Sequence, residues 1–159
     1  MSGIIGLPNN VGTGKIGPPS GTLLQTVITT VTSAQSTDQT SFTHFGDYDT
    51  NITPHFTNSR IQITWSSDGY NGTNNGHNYH TIYRDSTNLG HSTHGIRLRS
   101  SGSDRQGHWS NIHFIYNDTA HNTTSQITYK FYMRVGSGSG FVVYQAGTPT
   151  FLMAQEFAP

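Results

Sequence analysis

Hydrophobic and polar residues alternate in step along several short stretches of this chain. Ile61, Ile63 and Trp65 alternate with Gln62 and Thr64, so one side of a strand is apolar and the other polar. The longest stretch of this kind covers residues 126–135. There Ile127, Tyr129, Phe131, Met133 and Val135 share one face, and Thr128, Lys130, Tyr132 and Arg134 the other. Residues 150–157 alternate again, through Phe151, Met153 and Phe157. Further strand signals fall at 23–32, 40–45, 51–56, 79–83, 96–99, 109–116 and 141–145, with Pro54 demoting its stretch to a sheet edge or a turn. Residues 66–76, rich in Gly and Asn, read as a loop.

About eight or nine short strands with no amphipathic helix between them predict an all-β fold, most economically a jelly-roll-like antiparallel β-sandwich. Several strands are apolar on both faces: Val27 with Ile28, Ile112 and Phe114 with Ile115, and Phe141 with Val142 and Val143. A sandwich standing alone wets one face of each sheet, so this pattern predicts cover from further subunits.

Composition sharpens that picture. Of 159 residues only 31% are hydrophobic and 10% charged, while Ser, Thr and Asn fill about a third of the chain. Aromatic residues at 11% separate it from a disordered polar segment. Eight basic and eight acidic side chains cancel, leaving no basic patch and no expectation of nucleic-acid binding. No apolar run reaches the roughly 18 residues of a membrane span, and no signal-peptide pattern opens the chain. Cysteine is absent, which excludes disulfides and thiolate metal sites.

Residues 1–21 differ from the rest, with Gly or Pro at nine of 21 positions. Such a segment forms no regular element in isolation. One reading is a frayed terminus. The other is an extended anchoring arm, whose Ile4, Ile5, Leu7, Val11 and Ile16 dock into grooves on a partner. The expected division is therefore an arm over 1–22 and a β-sandwich knob over 23–159.

Candidate chemistry is sparse. Nine histidines include the pairs His77/His80 and His91/His94. Imidazole suits several transition metals, but on a strand residues three apart face opposite ways, so a pair converges only across a turn. No carboxylate or cysteine completes either set, and no metal or cofactor is expected. Asp47 and Asp49 form the single close acidic pair, in a Gly-Asp-Tyr-Asp-Thr-Asn context that reads as a turn. Neither a Gly-x-Ser-x-Gly elbow nor a phosphate-binding loop occurs, so no catalytic residue is assigned and the chain is not expected to be an enzyme. Tyr70, His77, Tyr79, His80, His91 and His94 are the candidate receptor-facing residues. Rings and hydrogen-bonding groups at low charge suit contact with a host surface glycan, as they also suit ordinary solvated loops.

A set of short motifs follows one order along the chain: Met1-Ser-Gly-Ile-Ile-Gly6, Leu24-Gln-Thr-Val27, Ile52-Thr-Pro54, Arg60-Ile-Gln-Ile63, Ile115-Tyr-Asn-Asp-Thr119, Tyr129-Lys-Phe131 and Leu152-Met-Ala-Gln-Glu156. In that order they resemble small virion structural proteins of tailed bacteriophages, of the marine tail-fibre or virion-surface head-domain kind. Arg60-Ile61 stands where Lys-Ile is common in that pattern, and the His-rich stretch 76–94 has no counterpart in it. The resemblance implies a homotrimeric virion protein joined to tail or capsid proteins through residues 1–21. A short tail fibre or spike is the first expectation, a capsid decoration or cement protein the second, and a lectin-like carbohydrate-binding module the third.

Overall fold

In the computed structural model, which describes residues 17–71, 77–100, 109–136, 141–142 and 150–159, the alternation seen in sequence becomes two facing antiparallel sheets. The strands are β1 (Leu23–Val31), β2 (Ser36–Thr37), β3 (Thr43–His44), β4 (Thr50–Ile52), β5 (Arg60–Asn71), β6 (His77–Arg84), β7 (Thr87–Asn88), β8 (Arg97–Ser100), β9 (Trp109–Asp118), β10 (Ile127–Val135), β11 (Phe141–Val142) and β12 (Thr150–Phe157). A single turn of 3₁₀ helix, Gly46–Tyr48, lies between β3 and β4.

The first sheet runs β1-β12-β5-β9, with β11 and then β2 continuing beside the far end of β5. In the second, β10 lies between β6 and the short strands β3 and β4, and β6 also pairs with β7 and β8. Taking β1, β4, β5, β6, β8, β9, β10 and β12 as first to eighth, the first pairs with the eighth, second with seventh, third with sixth, and fourth with fifth. That nesting is a long hairpin rolled into a sandwich, the jelly-roll arrangement.

Between the sheets the inward side chains follow the period of two. β10 contributes Ile127, Tyr129, Phe131, Met133 and Val135, and β5 contributes Ile61, Ile63 and Trp65, all buried. Trp65 and Phe131 stack across the sandwich with centroids 3.7 Å apart and planes 3° from parallel, and Tyr48 meets both edge-on. The two edge-on contacts of Tyr48 add about 0.5–1.5 kcal/mol each beyond the area they bury.

Two poles can be distinguished. At one, β1 begins and β12 ends: Gly21 N–H donates to Ala158 O (2.9 Å) and Ala158 N–H to Thr22 O (2.8 Å). The same pole holds Asp118 of β9, which accepts both from Arg84 Nη1 (2.9 Å to each oxygen) and from Tyr129 OH (2.7 Å), joining the two sheets. Burial, then the Asp118 carboxylate, drives the Tyr129 phenol far above its ordinary pKa and keeps it a donor. Arg134 lies five residues further along β10, about 17 Å away toward the opposite pole.

Three expectations need correction. Residues 66–71 are strand, not loop, because β9 supplies a ladder for them: Ser67, Asp68 and Gly69 pair with Ile112, Asn111 and Ser110. Paired backbone outweighs the turn-forming composition of Ser and Gly. In β12, Phe151, Met153 and Phe157 point outward, whereas Thr150, Leu152, Ala154 and Glu156 are the buried set. Of residues 40–45 only Thr43–His44 is strand. The arm residues Ile4, Ile5, Leu7, Val11 and Ile16 lie outside the described residues.

Candidate functional site

The two sheets present outer faces of unlike chemistry. On the second sheet, β10 turns Lys130, Tyr132 and Arg134 outward, and β6 turns out His77, Tyr79 and Tyr83. Tyr132 stacks on Tyr83 (3.9 Å between centroids) and on His44 (5.0 Å), whose Nε2 lies 2.6 Å from Asp49 Oδ1. Partial burial raises the pKa of both phenols, aided at Tyr83 by Tyr132 and at Tyr132 by Asp49. Both therefore stay protonated hydroxyls in neutral water.

Toward the pole away from Gly21 and Ala158, the connection from β7 to β8 doubles back over β6. Its backbone is pinned there by Leu89 N–H to Ile82 O (3.0 Å) and Ile96 N–H to His80 O (2.8 Å). Two glycines permit this closeness. Gly95 has φ +65°, and a Cβ on it would sit 2.3 Å from His80 O; one on Gly90 would sit 2.6 Å from the Gly95 carbonyl carbon. Asn88 Oδ1 completes the turn by accepting from Thr81 Oγ1 (2.6 Å) and Gly90 N–H (2.9 Å).

This turn brings His91 and His94 together with ring centroids 4.8 Å apart. The amides of Thr93 and His94 both donate to His91 Nδ1 at 3.1 Å, so the neutral His91 ring carries its proton on Nε2. His94 lies 5.7 Å from the Tyr79 ring, and Arg134 packs its guanidinium over the other side of this cluster, 4.1 Å from Tyr79 and 5.6 Å from Phe42. Arg134 also ties two loops together: Nε (2.9 Å) and Nη2 donate to Thr93 O, and Nη1 donates to Thr40 O (3.1 Å). Beside it opens a cleft of about 520 Å³, lined by Arg134, Phe42, Tyr83 and the hydroxyl-bearing residues Thr40, Ser41 and Ser92.

Of the residues singled out in sequence, His77, Tyr79, His91 and His94 come together on this face. His80 does not. Three residues from His77 on a strand, it points inward, fully buried, and stacks on Phe131 at 5.9 Å. Tyr70 lies in β5, in backbone register with Trp109. The alternation in β10 already placed Tyr132 and Arg134 on its polar face, but their loop partners are distant in sequence and carried no local signal.

On the first sheet the outer face is without charge over three rows, in which four apolar side chains, Ile28, Ile115, Met153 and Phe151, stand among eight polar ones. Ile28, Met153, Thr64 and Ile115 lie in one row across β1, β12, β5 and β9. The flanking rows are Thr30, Phe151, Ser66 and His113 on one side, and Thr26, Gln155, Gln62 and Asn117 on the other. Ile28 and Ile115 are 55% and 52% exposed, high for side chains of their kind. Arg60 occupies a corner, its guanidinium 4.5 Å over the Phe157 ring.

Buried polar groups elsewhere serve the fold. Glu156 has its carboxylate wholly buried, where it accepts from the His55 N–H (2.8 Å), Phe56 N–H (3.3 Å) and Gln25 Nε2 (2.6 Å), with His55 Nδ1 at 2.8 Å. Burial would raise its pKa, but hydrogen bonds from the His55 side chain, Gln25 and the His55 backbone hold it down at about 2. Ser59 Oγ is 3.2 Å from His121 Nε2 yet donates to Phe56 O at 3.0 Å, and both residues are buried. That arrangement fixes the turn before β5 and offers no accessible nucleophile. Asp47 accepts from Ser33 (3.0 Å) and Gln35 (2.7 Å), as a turn carboxylate does. Among the described residues no cluster of three or more His, Asp or Glu side chains could hold a metal ion, and no helix is long and apolar enough to cross a membrane.

No protein-family model and no curated protein matches the sequence. Among solved structures the chain is similar to three of infectious bursal disease virus. The VP2 subviral particle is 15% identical with a TM-score of 0.45, over 98% of this chain and 42% of that one. The Gt strain structure is 14% identical (TM-score 0.44; 99% and 43% covered), and the Gx strain structure 13% (0.40; 85% and 37%). This chain thus spans about two fifths of the length of the chains it is similar to.

Proposed function

We propose that this chain is a non-enzymatic virion structural protein, a surface knob built from copies packed on one another and attached through residues 1–21. The outer face of the first sheet carries the proposal. Its central row, Ile28, Met153, Thr64 and Ile115, and both flanking rows hold no lysine, arginine, aspartate or glutamate. Like faces therefore meet without charge repulsion, and apolar side chains at half exposure gain from being covered. Three rows about 6.6 Å apart across four strands about 4.8 Å apart make a patch of roughly 400 Å² in projection. That is about half of the ~800 Å² each partner buries in a standard interface.

The two poles support display. Residue 17, where the described chain starts, leads into the pole of Gly21 and Ala158, while the cleft beside Arg134 lies toward the other. An arm leaving the first pole can hold a scaffold with the aromatic face still outward. A short tail fibre or spike in three copies is the finer form of this reading.

The test is sedimentation of the full chain and of a variant lacking residues 1–21, followed by incorporation of each into particles. A trimer in both cases, with incorporation by the full chain alone, is the expected result. A monomer overturns the packing of copies, and incorporation without the arm overturns its role. Crosslinks from residues 1–21 to tail proteins favour the fibre, and to the major capsid protein a cement role.

A further inference from the structure

The cleft beside Arg134 has a chemistry of its own, and it stands whether or not copies assemble. We infer that it binds an acidic saccharide, a sugar ring bearing a carboxylate, with Arg134 as the anion-recognising group. Arg134 forms no ion pair among the described residues; its partners there are the carbonyl oxygens of Thr93, Thr40 and Val135. Those neutral acceptors orient the guanidinium without cancelling its charge. Four bonds occupy four of its five N–H groups at most, leaving a donor for a ligand oxygen.

Around that charge the lining combines hydroxyls and rings. Thr40, Ser41 and Ser92 offer groups that both donate and accept, which is what the hydroxyls of a sugar require. Phe42 and Tyr83 supply flat apolar surface for the C–H side of a sugar ring. Because Arg134 is clamped between the Tyr79 and Phe42 rings and bonded to two loops, little ordering remains to be done when a ligand arrives. A volume of about 520 Å³ falls inside the range of small-ligand sites, roughly 300–1,000 Å³. A simple inorganic anion would use the charge and ignore the hydroxyls and rings; a neutral sugar would use those and leave the charge unanswered.

Titration calorimetry on the full chain separates these cases with four probes: trigalacturonate, 3′-sialyllactose, lactose and inorganic sulfate. At least one acidic saccharide should bind with a dissociation constant at or below about 1 mM, and lactose and sulfate at least about tenfold more weakly. Arg134→Gln should weaken the acidic probe by at least about tenfold. Since Arg134 also braces two loops, Ser92→Trp is the second variant: Ser92 is exposed, so the indole blocks the cleft without disturbing those bonds. That variant should abolish binding. Failure of both acids to bind at about 10 mM, equal affinity for lactose, equal affinity for sulfate, or undiminished binding by Ser92→Trp would each overturn the assignment.

Discussion

The outer faces of the two sheets share one backbone architecture and one pattern of alternation, yet they differ in chemistry and in how far their side chains engage one another. On the first sheet Ile28, Ile115, Met153 and Phe151 stand outward among Thr, Ser, Gln, Asn and His in rows that cross four strands, with Gln62 bonded to Asn117 and Gln155 to Thr26. On the second, outward side chains are engaged with one another: Tyr132 with Tyr83 and His44, and Arg134 with Tyr79 and two loops. The first face is uncharged over these rows, with Ile28 and Ile115 half exposed on its two outer strands. The second is folded over by the turn between β7 and β8, which makes an open, shallow hollow with polar lining. Area suits protein packing; concavity with converging polar groups suits a small ligand.

The contrast can be broken from the first face. Ile28→Asp combined with Ile115→Asp puts two unpaired charges into the central row. Both side chains are half exposed, so each copy should stay folded, while assembly should weaken by about 3 kcal/mol or more, some 150-fold. Sedimentation against concentration reads this directly, and a wild-type profile would mean that copies pack elsewhere. Binding in the Arg134 cleft should not change.

A smaller effect comes from the second face. Gly95→Ala places a methyl group against His80 O at a position with φ +65°, and strain of this kind costs about 1–3 kcal/mol. The turn over β6 should loosen, with faster amide exchange at Gly95 and Ile96, while sedimentation stays that of the parent. Loss of assembly along with the turn would show that the two faces are coupled.

The last separates the poles by pH. Glu156, held at about 2 in the fold against an ordinary value of 4.5, contributes stability that is complete above about 4.5 and drains away as pH falls toward about 2. Acid should therefore loosen the pole where Gln25 and the turn at His55 and Phe56 meet β12. Glu156→Gln should lower the thermal midpoint at neutral pH, by a change worth about 1–3 kcal/mol, and flatten its fall between about pH 4.5 and 2. An unchanged acid slope would remove Glu156 from the account.

Much of the fold was legible in the alternation itself. The faces of β10 and the first half of β5 follow from residue order because a pleated strand leaves each side chain only two directions. Where the alternation is apolar on both sides, as at Leu152 and Met153, sequence order leaves the inward choice open. The register of β12 between β1 and β5 makes it, turning the small Ala154 and the hydrogen-bonded Glu156 inward and Phe151 and Met153 outward. The burial of His80 followed from strand period once β6 was known to run unbroken from His77 to Arg84, but the signal in sequence covered only residues 79–83, too few to say which side turns inward until β10 pairs with them.

Sequence alone determined the all-β class, the two-sided apolar strands and the low charge, because these depend on residue type and neighbouring positions. Tertiary structure alone decided that Ile28, Met153, Thr64 and Ile115 form a row, and that Arg134 meets Thr40, Phe42 and Thr93 at one cleft. The physical reason is the same in both cases. Strand register and loop closure join residues some 40 to 130 positions apart through backbone hydrogen bonds, which are common to every residue type and so leave little trace in any local pattern.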